Sequence, residues 1–288
     1  MPQRKSPITW LMPLGTLVQF FIPRWVAAIA ARLAGPVVYR LDRTGREVLR
    51  DNLHRILGPS TTETQVTEAA CRTYSNLLMN YFDLVRGPVI KRRVVDLVEY
   101  DDTWLDQVIG REGNVLIVTG HIGNWDLAGV FLTALGYPLS AVVEPVPAGW
   151  TETFNRYRRL TNMKTIPIPE RESIHRAIRD KRILTLVADR AISGRGVRCP
   201  SFGAHRVFPR GPAAYALRFG LRVVIGYLVF QNRPGHPPYL GVAEPLDYQT
   251  TGNLEQDIVD LTRAVAARLN EVISRYPDQW LVFNPRWQ

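Results

Sequence analysis

His121 and Asp126 are the two side chains whose types and spacing best suit chemistry. They follow the apolar run Val115-Leu116-Ile117-Val118-Thr119 and fall within Gly120-His121-Ile122-Gly123-Asn124-Trp125-Asp126. A histidine held by a carboxylate is a general base: it takes a proton from a hydroxyl near neutral pH, while the acid fixes its tautomer. On one continuous helix, residues five apart differ by roughly 140° and share no face. The pair therefore meets only if His121 lies on a turn leaving a strand and a helix begins near Asn124. Gly120 and Gly123 permit the tight path, Asn124 suits an N-cap, and Asp126 sits well near the positive helix end. Free N–H groups at that helix start would face a developing oxyanion. The plain alternative is a packed core histidine next to an unrelated helix-start aspartate.

The elements that must position this pair alternate between strand and helix. Strand patterns occur at 94–100, 115–119, 141–144, 183–187, 223–230 and 239–243. Helical spacing covers 61–85, with Thr62 and Gln65 as a capping box and Gly87-Pro88 as its stop. Further helices are expected at 101–110, 127–135, 151–160 (rich in arginine), 173–179, 212–219 and 253–276. The alternation predicts an α/β fold, a single domain with a mainly parallel central sheet flanked by helices. Chemistry in such sheets gathers at the carboxyl ends of strands. Three strands end in polar residues, Gly120-His121, Glu144 and Asp189-Arg190, and the fold class predicts that they converge on one crevice.

At 288 residues with 46% hydrophobic content the chain is long enough for a large core and is not a disordered chain. Its net charge is +10, carried mostly by arginine, which suits phosphates, carboxylates or an anionic membrane surface. A genome biased toward arginine codons would also produce it. The two cysteines, Cys71 and Cys199, form no CxxC and no disulfide framework, which favours a reducing compartment. Cys199 lies between Arg198 and Pro200, where its thiol would be somewhat reactive without being a catalytic group. The five histidines lack ligand spacing, so no metal is expected. No RRM, KH, helix-turn-helix or zinc signature points to nucleic acid.

The N-terminus is the second unusual region. Residues 8–38 are rich in Trp, Leu, Phe, Ile and Val but are interrupted by Pro13, Gln19, Pro23, Arg24 and Arg32. No stretch reaches the roughly 20 apolar residues of a transmembrane helix, and no small-residue cleavage site follows a clean apolar core. Residues 1–55 carry nine basic against three acidic side chains, a net +6. An interfacial helix fits this pattern, with apolar groups in lipid and arginines reaching phosphates. We therefore divide the chain into N-terminal amphipathic membrane-associating helices at 1–60 and an α/β domain at 61–288, peripheral on the cytoplasmic face of the plasma membrane. Core-covering helices are the alternative reading.

An ordered set of motifs resembles the bacterial lipid A lauroyl/myristoyl acyltransferase family. His121 through Asp126 looks like its HX4(D/E) block. Ala188-Asp189-Arg190 with Gly196, then Ser201-Phe202-Gly203 with Pro209, Gly211, Pro212 and Ala213, resemble the next two blocks. Asp278-Gln279-Trp280 and Arg286-Trp287 resemble the C-terminal signature. Asp126 rather than Glu, and Ala188-Asp189-Arg190 rather than Asp-Gln-Asp, look more like the phosphatidylinositol mannoside acyltransferase branch. Arg198 and Cys199 depart from the aliphatic residues expected before the Phe-Gly pair.

The resemblance implies acyl transfer from a thioester to a lipid hydroxyl. The donor would be acyl-CoA or an acyl carrier protein, used as a substrate with no further cofactor, and the acceptor a glycolipid or phospholipid. His121 would be the base and Asp126 its partner. With no Gly-x-Ser-x-Gly elbow in the chain, direct attack is preferred over an acyl-enzyme. Amides at 122–124, which include Gly123 and Asn124, would hold the oxyanion. Arg158 and Arg190 would bind phosphates, and Glu144 and Asp189 would order acceptor hydroxyls. Rival readings are a lipid A type carrier-protein-dependent acyltransferase, a thioesterase and a peripheral lipid-binding protein without catalysis.

Overall fold

All five residues of Val115–Thr119 are buried, which a strand achieves only when both of its faces are covered. A computed structural model shows how. It describes residues 21–91, 93–111, 113–144, 158–159, 161–191, 194–283 and 287–288, and every structural statement below concerns these. The elements in chain order are α1 (Arg24–Leu41), α2 (Arg43–Leu57), α3 (Glu63–Ile90), β1 (Val98–Glu99), α4 (Asp102–Ile109), β2 (Val115–Thr119), α5 (Trp125–Ala134), β3 (Leu139–Val143) and β4 (Lys164–Pro167). They continue with α6 (Arg171–Arg179), β5 (Ile183–Val187), β6 (Val197–Ser201), β7 (Ala204–Phe208), α7 (Gly211–Phe219), β8 (Arg222–Phe230), β9 (Tyr239–Leu246) and α8 (Leu254–Arg275).

Seven strands form one sheet in the order β1-β9-β8-β2-β5-β3-β4. The five from β8 to β4 are mutually parallel, and β9 runs antiparallel to β8. The expected α/β class with a mainly parallel sheet is what the chain adopts. The alternation along β2 divides the core. Leu116 and Val118 join residues of α7 and α8 on one face, while Val115 and Ile117 join α4 and α5 on the other. β6 and β7 form a separate antiparallel hairpin.

Local signals mark most helix starts. The Thr62/Gln65 capping box is formed, Asn253 caps α8, and Asn124 accepts from the Leu127 N–H at the start of α5. The proposed stop at Gly87-Pro88 is corrected: α3 continues to Ile90 with Pro88 inside it. Pro88 lies in the final turn, where its missing N–H costs one hydrogen bond and leaves the rest of the helix intact. The strand expected at 94–100 is a 3-10 turn at Val94–Leu97 followed by two strand residues. β4 and the β6–β7 hairpin have no counterpart among the expected strands. Most of the expected helix at 151–160 lies outside the described residues; Arg158 and Arg159 are helical.

α1 and α2 pack on α3 around Tyr39, Leu49, Leu53, Val66 and Tyr74. The opposite face of α1 leaves Phe21, just before its start, and Trp25, Ile29, Leu33, Val37 and Leu41 exposed at i, i+4 spacing. No described helix is long and apolar enough to cross a membrane.

Candidate active site

The register of two parallel strands assembles the centre of the site. Thr119 of β2 pairs with Val187 of β5, and the Ala188 N–H donates to the Thr119 carbonyl at 2.8 Å. Two residues beyond each strand end, His121 and Asp189 therefore stand side by side. The His121 backbone N–H donates to Asp189 Oδ2 at 2.8 Å, and Nδ1 lies 2.8 Å from Oδ1. The Trp280 indole N–H supplies a third bond to Oδ2 at 2.8 Å. The Asp189 side chain has no exposed area. Burial alone would raise its pKa, but the His121 charge, the hydrogen bonds from His121 and the indole N–H bring it down to about 2. An ionised carboxylate only accepts, so Nδ1 carries a proton and the lone pair of neutral His121 is on Nε2.

The turn that carries His121 is bound on every side. The His121 carbonyl accepts from the Leu281 N–H, the Gly123 N–H donates to the Gln279 carbonyl, and the Asn124 N–H donates to the Leu228 carbonyl, at 2.7–2.8 Å. Asn80 on α3 donates to the Gly123 carbonyl at 2.6 Å. Gly123 has φ +59°, and a Cβ there would stand 2.0 Å from the Leu228 carbonyl oxygen, so a side chain is excluded twice over. Behind Asp189 lies Arg206, which is nearly fully buried and stacks 4.7 Å above the Trp280 ring. Arg206 donates to the Asp189 carbonyl at 3.2 Å and to Asn270 at 2.6 Å. Desolvation, only partly opposed by Asp189, lowers its pKa to about 10.

His121, Trp125 and Asp126 open into a cavity of about 270 Å³ beneath α5 on the α4/α5 face of the sheet. Its mouth carries two ion pairs. Arg190 contacts both oxygens of Glu144 at 3.2 Å, and Arg158 Nε donates to Asp126 Oδ1 at 2.6 Å. Burial works against the Arg158 charge, but attraction and hydrogen bonding from Asp126 hold its pKa above the ordinary arginine value. The interior is mostly apolar, lined by Leu, Ile, Val, Phe, Ala and Gly from α4, α5 and five strands, with Met163 just before β4. An oriented imidazole at the charged mouth of an apolar cavity is suited to chemistry at the polar end of a long aliphatic substrate.

Residues 2–288 match the family described as bacterial lipid A biosynthesis acyltransferase. The chain belongs to that family. It is 28% identical to the phosphatidylinositol mannoside acyltransferase of Mycolicibacterium smegmatis, over 86% of this chain and 82% of that protein. It is 27% identical to the phosphatidylinositol mannoside acyltransferase of Mycobacterium tuberculosis, over 84% of this chain and 77% of that protein. The chain is thus an acyltransferase, as its ordered motifs imply.

Against that background the expected site residues sort clearly. The three polar strand ends do converge: His121 meets Asp189, and Glu144 meets Arg190. The expected partnership of His121 with Asp126 is corrected, because the carboxylate hydrogen-bonded to His121 in this acyltransferase is Asp189. Asp126 projects from the second position of α5 to Arg158, while His121 faces the end of β5. Both line the same cavity. The expected use of the Gly123 and Asn124 amides for an oxyanion is also corrected, since both N–H groups are committed to backbone carbonyls. The Asn124 side chain turns inward, to the Leu127 N–H and to Tyr239 Oη at 3.0 and 3.2 Å. Cys199 is buried and burial raises its thiol pKa, so Arg198 does not make it a reactive thiolate. The sequence alone does not mark Arg206 as part of the site. Its one signal is an arginine in an alternating strand, at an inward position.

Proposed function

We propose that this acyltransferase moves a fatty acyl chain from a thioester donor to a hydroxyl of a glycolipid or phospholipid, as the names of its mycobacterial relatives suggest. The observation that carries the reading is His121 fixed by Asp189 at the entrance of an apolar cavity. His121 Nε2 takes the acceptor hydroxyl proton as its oxygen attacks the thioester carbonyl carbon. The oxyanion of the tetrahedral intermediate meets the N–H groups of Trp125 and Asp126, which as first-turn residues of α5 have no intrahelical acceptor. Collapse breaks the carbon–sulfur bond, and the imidazolium returns the proton to the departing thiolate. The products are an ester and a free thiol, with no acyl-enzyme. Asp189 stabilises the imidazolium without taking its proton.

Acyl-CoA and an acyl carrier protein both fit as donor, and no further cofactor is needed. The charged groups at the mouth, Glu144, Arg190, Asp126 and Arg158, would contact the polar parts of donor and acceptor. The exposed apolar stripe from Phe21 to Leu41, flanked by exposed Arg32 and Arg40, supports peripheral association with an anionic membrane on its cytoplasmic face.

The test is transfer of a radiolabelled palmitoyl group from coenzyme A to a mixed bacterial lipid extract, with wild type and His121→Ala side by side. A labelled lipid formed by wild type alone is expected. Free palmitate as the product would replace transfer with thioester hydrolysis, and substantial transfer by folded His121→Ala would overturn the mechanism.

A further inference from the structure

The charged residues that line the cavity beside His121 are confined to one side of it. Asp126, Glu144, Arg158 and Arg190 all lie at its mouth, on the side of β3, β5 and the start of α5. The other end reaches across β8 and β9 to Tyr100 and α4, where Leu105, Ile109, Val224, Gly226 and Ala243 form the lining. α4 is fastened over β9 there, because the Trp104 indole N–H donates to the Ala243 carbonyl at 2.9 Å. The Tyr100 ring meets Phe131 edge-on at 4.9 Å and completes the wall.

The room at this end comes from two small residues. Gly226 and Ala243 are register partners on β8 and β9. Ala243 belongs to the same core face as Ile117, Val224 and Leu228. A Cβ at position 226 would already come within 2.7 Å of Ile117 Cγ2, so Gly226 admits nothing larger, and Ala243 is the position where side-chain volume can vary. β9 lies two strands from β2, about 10 Å away at the usual spacing of roughly 4.8 Å. A chain whose carbonyl stands beside His121 has every reason to run that way, because methylenes laid against the mouth would strip water from four charged groups.

We propose that the β8–β9 end receives the methyl end of the donor acyl chain, and that Ala243 sets the longest chain this enzyme accepts. The assignment rests on the acyl-transfer reading above and adds the residue that selects among acyl donors. Each methylene gained or lost in a snug apolar slot changes discrimination by roughly 10–200-fold, so a few added carbons at position 243 are enough to be seen.

The experiment compares wild type with Ala243→Val, Ala243→Leu and, as a control, Ala141→Leu. Ala141 lines the same cavity from β3, four strands away from β9. Each protein is titrated calorimetrically with octanoyl, dodecanoyl, palmitoyl and stearoyl coenzyme A without acceptor, and transfer to the lipid extract is followed in parallel. Ala243→Val and Ala243→Leu are expected to lose the longest chains progressively and to keep octanoyl and dodecanoyl coenzyme A. The palmitoyl-to-dodecanoyl affinity ratio should fall roughly tenfold or more. Ala141→Leu should leave that ratio unchanged. Equal weakening at all lengths, no change in the ratio at position 243, or a ratio shifted by Ala141→Leu would each overturn the proposal. Thermal unfolding of the milder valine variant guards against loss of fold. Length-dependent binding by a wild type that transfers nothing would count against acyl transfer while leaving the length assignment readable.

Discussion

Two aspartates contact the two ends of the turn that presents His121, Asp189 at His121 and Asp83 at Asn124, and burial has opposite outcomes for them. Asp189 and Asp83 both have side chains without exposed area. For both, desolvation is the largest influence and raises the pKa. Asp189 ends well below the usual carboxylate range, at about 2, whereas the Asp83 pKa is raised from its ordinary value. The difference lies in the partners. Asp189 receives three bonds at 2.8 Å, two of them from one histidine. Asp83 accepts the Tyr239 hydroxyl, but Asn124 reaches it only at 3.4 Å and Arg24 at 3.5 Å, and its Oδ1 has no hydrogen-bond partner among the described residues. A buried carboxylate is thus held ionised on one side and pushed toward its neutral form on the other, and the number of close donors separates the two.

The sharpest way to break this contrast is Asp189→Asn. It removes the charge opposite the imidazolium and mismatches an amide to donors that need an acceptor. Steady-state kinetics should show a loss of about 10³–10⁴-fold in kcat, by analogy with the loss of an orienting carboxylate in hydrolase triads. The same substitution should cost about 2 kcal/mol in urea unfolding at pH 7, the stability that a pKa depressed by nearly two units represents. Activity within tenfold of wild type would show that Asp189 does not orient the base.

A second test concerns the third carboxylate, Asp126. It forms a partly buried pair with Arg158. Asp126→Asn, Arg158→Met and the double variant should be non-additive in unfolding, with a coupling of about 1–2 kcal/mol. Additive single effects would mean that the pair is not an energetic unit.

Asn124 joins the two sides, since it caps α5 and its amide reaches Asp83 and Tyr239. Asn124→Ala should cost about 1 kcal/mol, the usual value of an N-cap, read from the urea midpoint. A loss well above that would assign the residue a larger part in holding the buried cluster.

What the chain reveals before folding follows from distance along it. The strand, the glycine turn, the Asn124 cap and the helix after it are local patterns, and all were legible. Asp189 was visible as the polar end of a strand, but its bond to a residue 68 positions earlier depends on the β2–β5 register, which no spacing encodes. The amides of Gly123 and Asn124 looked free because their acceptors, Gln279 and Leu228, arrive from distant segments. Asp83 is hidden in the sequence for a similar reason. An aspartate in an amphipathic helix reads as a surface residue until Tyr239 and Arg24 close over it.

The smallest expected effect belongs to Asp83→Asn, and its sign with pH distinguishes the two aspartates most directly. A group whose folded pKa is raised contributes stability that is present below its unfolded pKa, near 4, and that is lost as pH rises through the folded value. Asp83 therefore favours the fold more when protonated. Asparagine mimics that neutral form and still accepts from Tyr239, while the Arg24 contact at 3.5 Å is long enough to lose at little cost. At pH 7 the variant should stay within about 1 kcal/mol of wild type, and its stability should fall less than wild type as pH rises above the carboxylate range. Asp189 works in the reverse sense: its contribution is full above pH 4 and is lost as pH falls toward 2. Urea unfolding of wild type, Asp83→Asn and Asp189→Asn across this range should give difference curves of opposite slope. Parallel slopes would mean that the partners, and not only the burial, are alike at the two sites, and the contrast between a carboxylate held ionised and one pushed toward its neutral form would be lost.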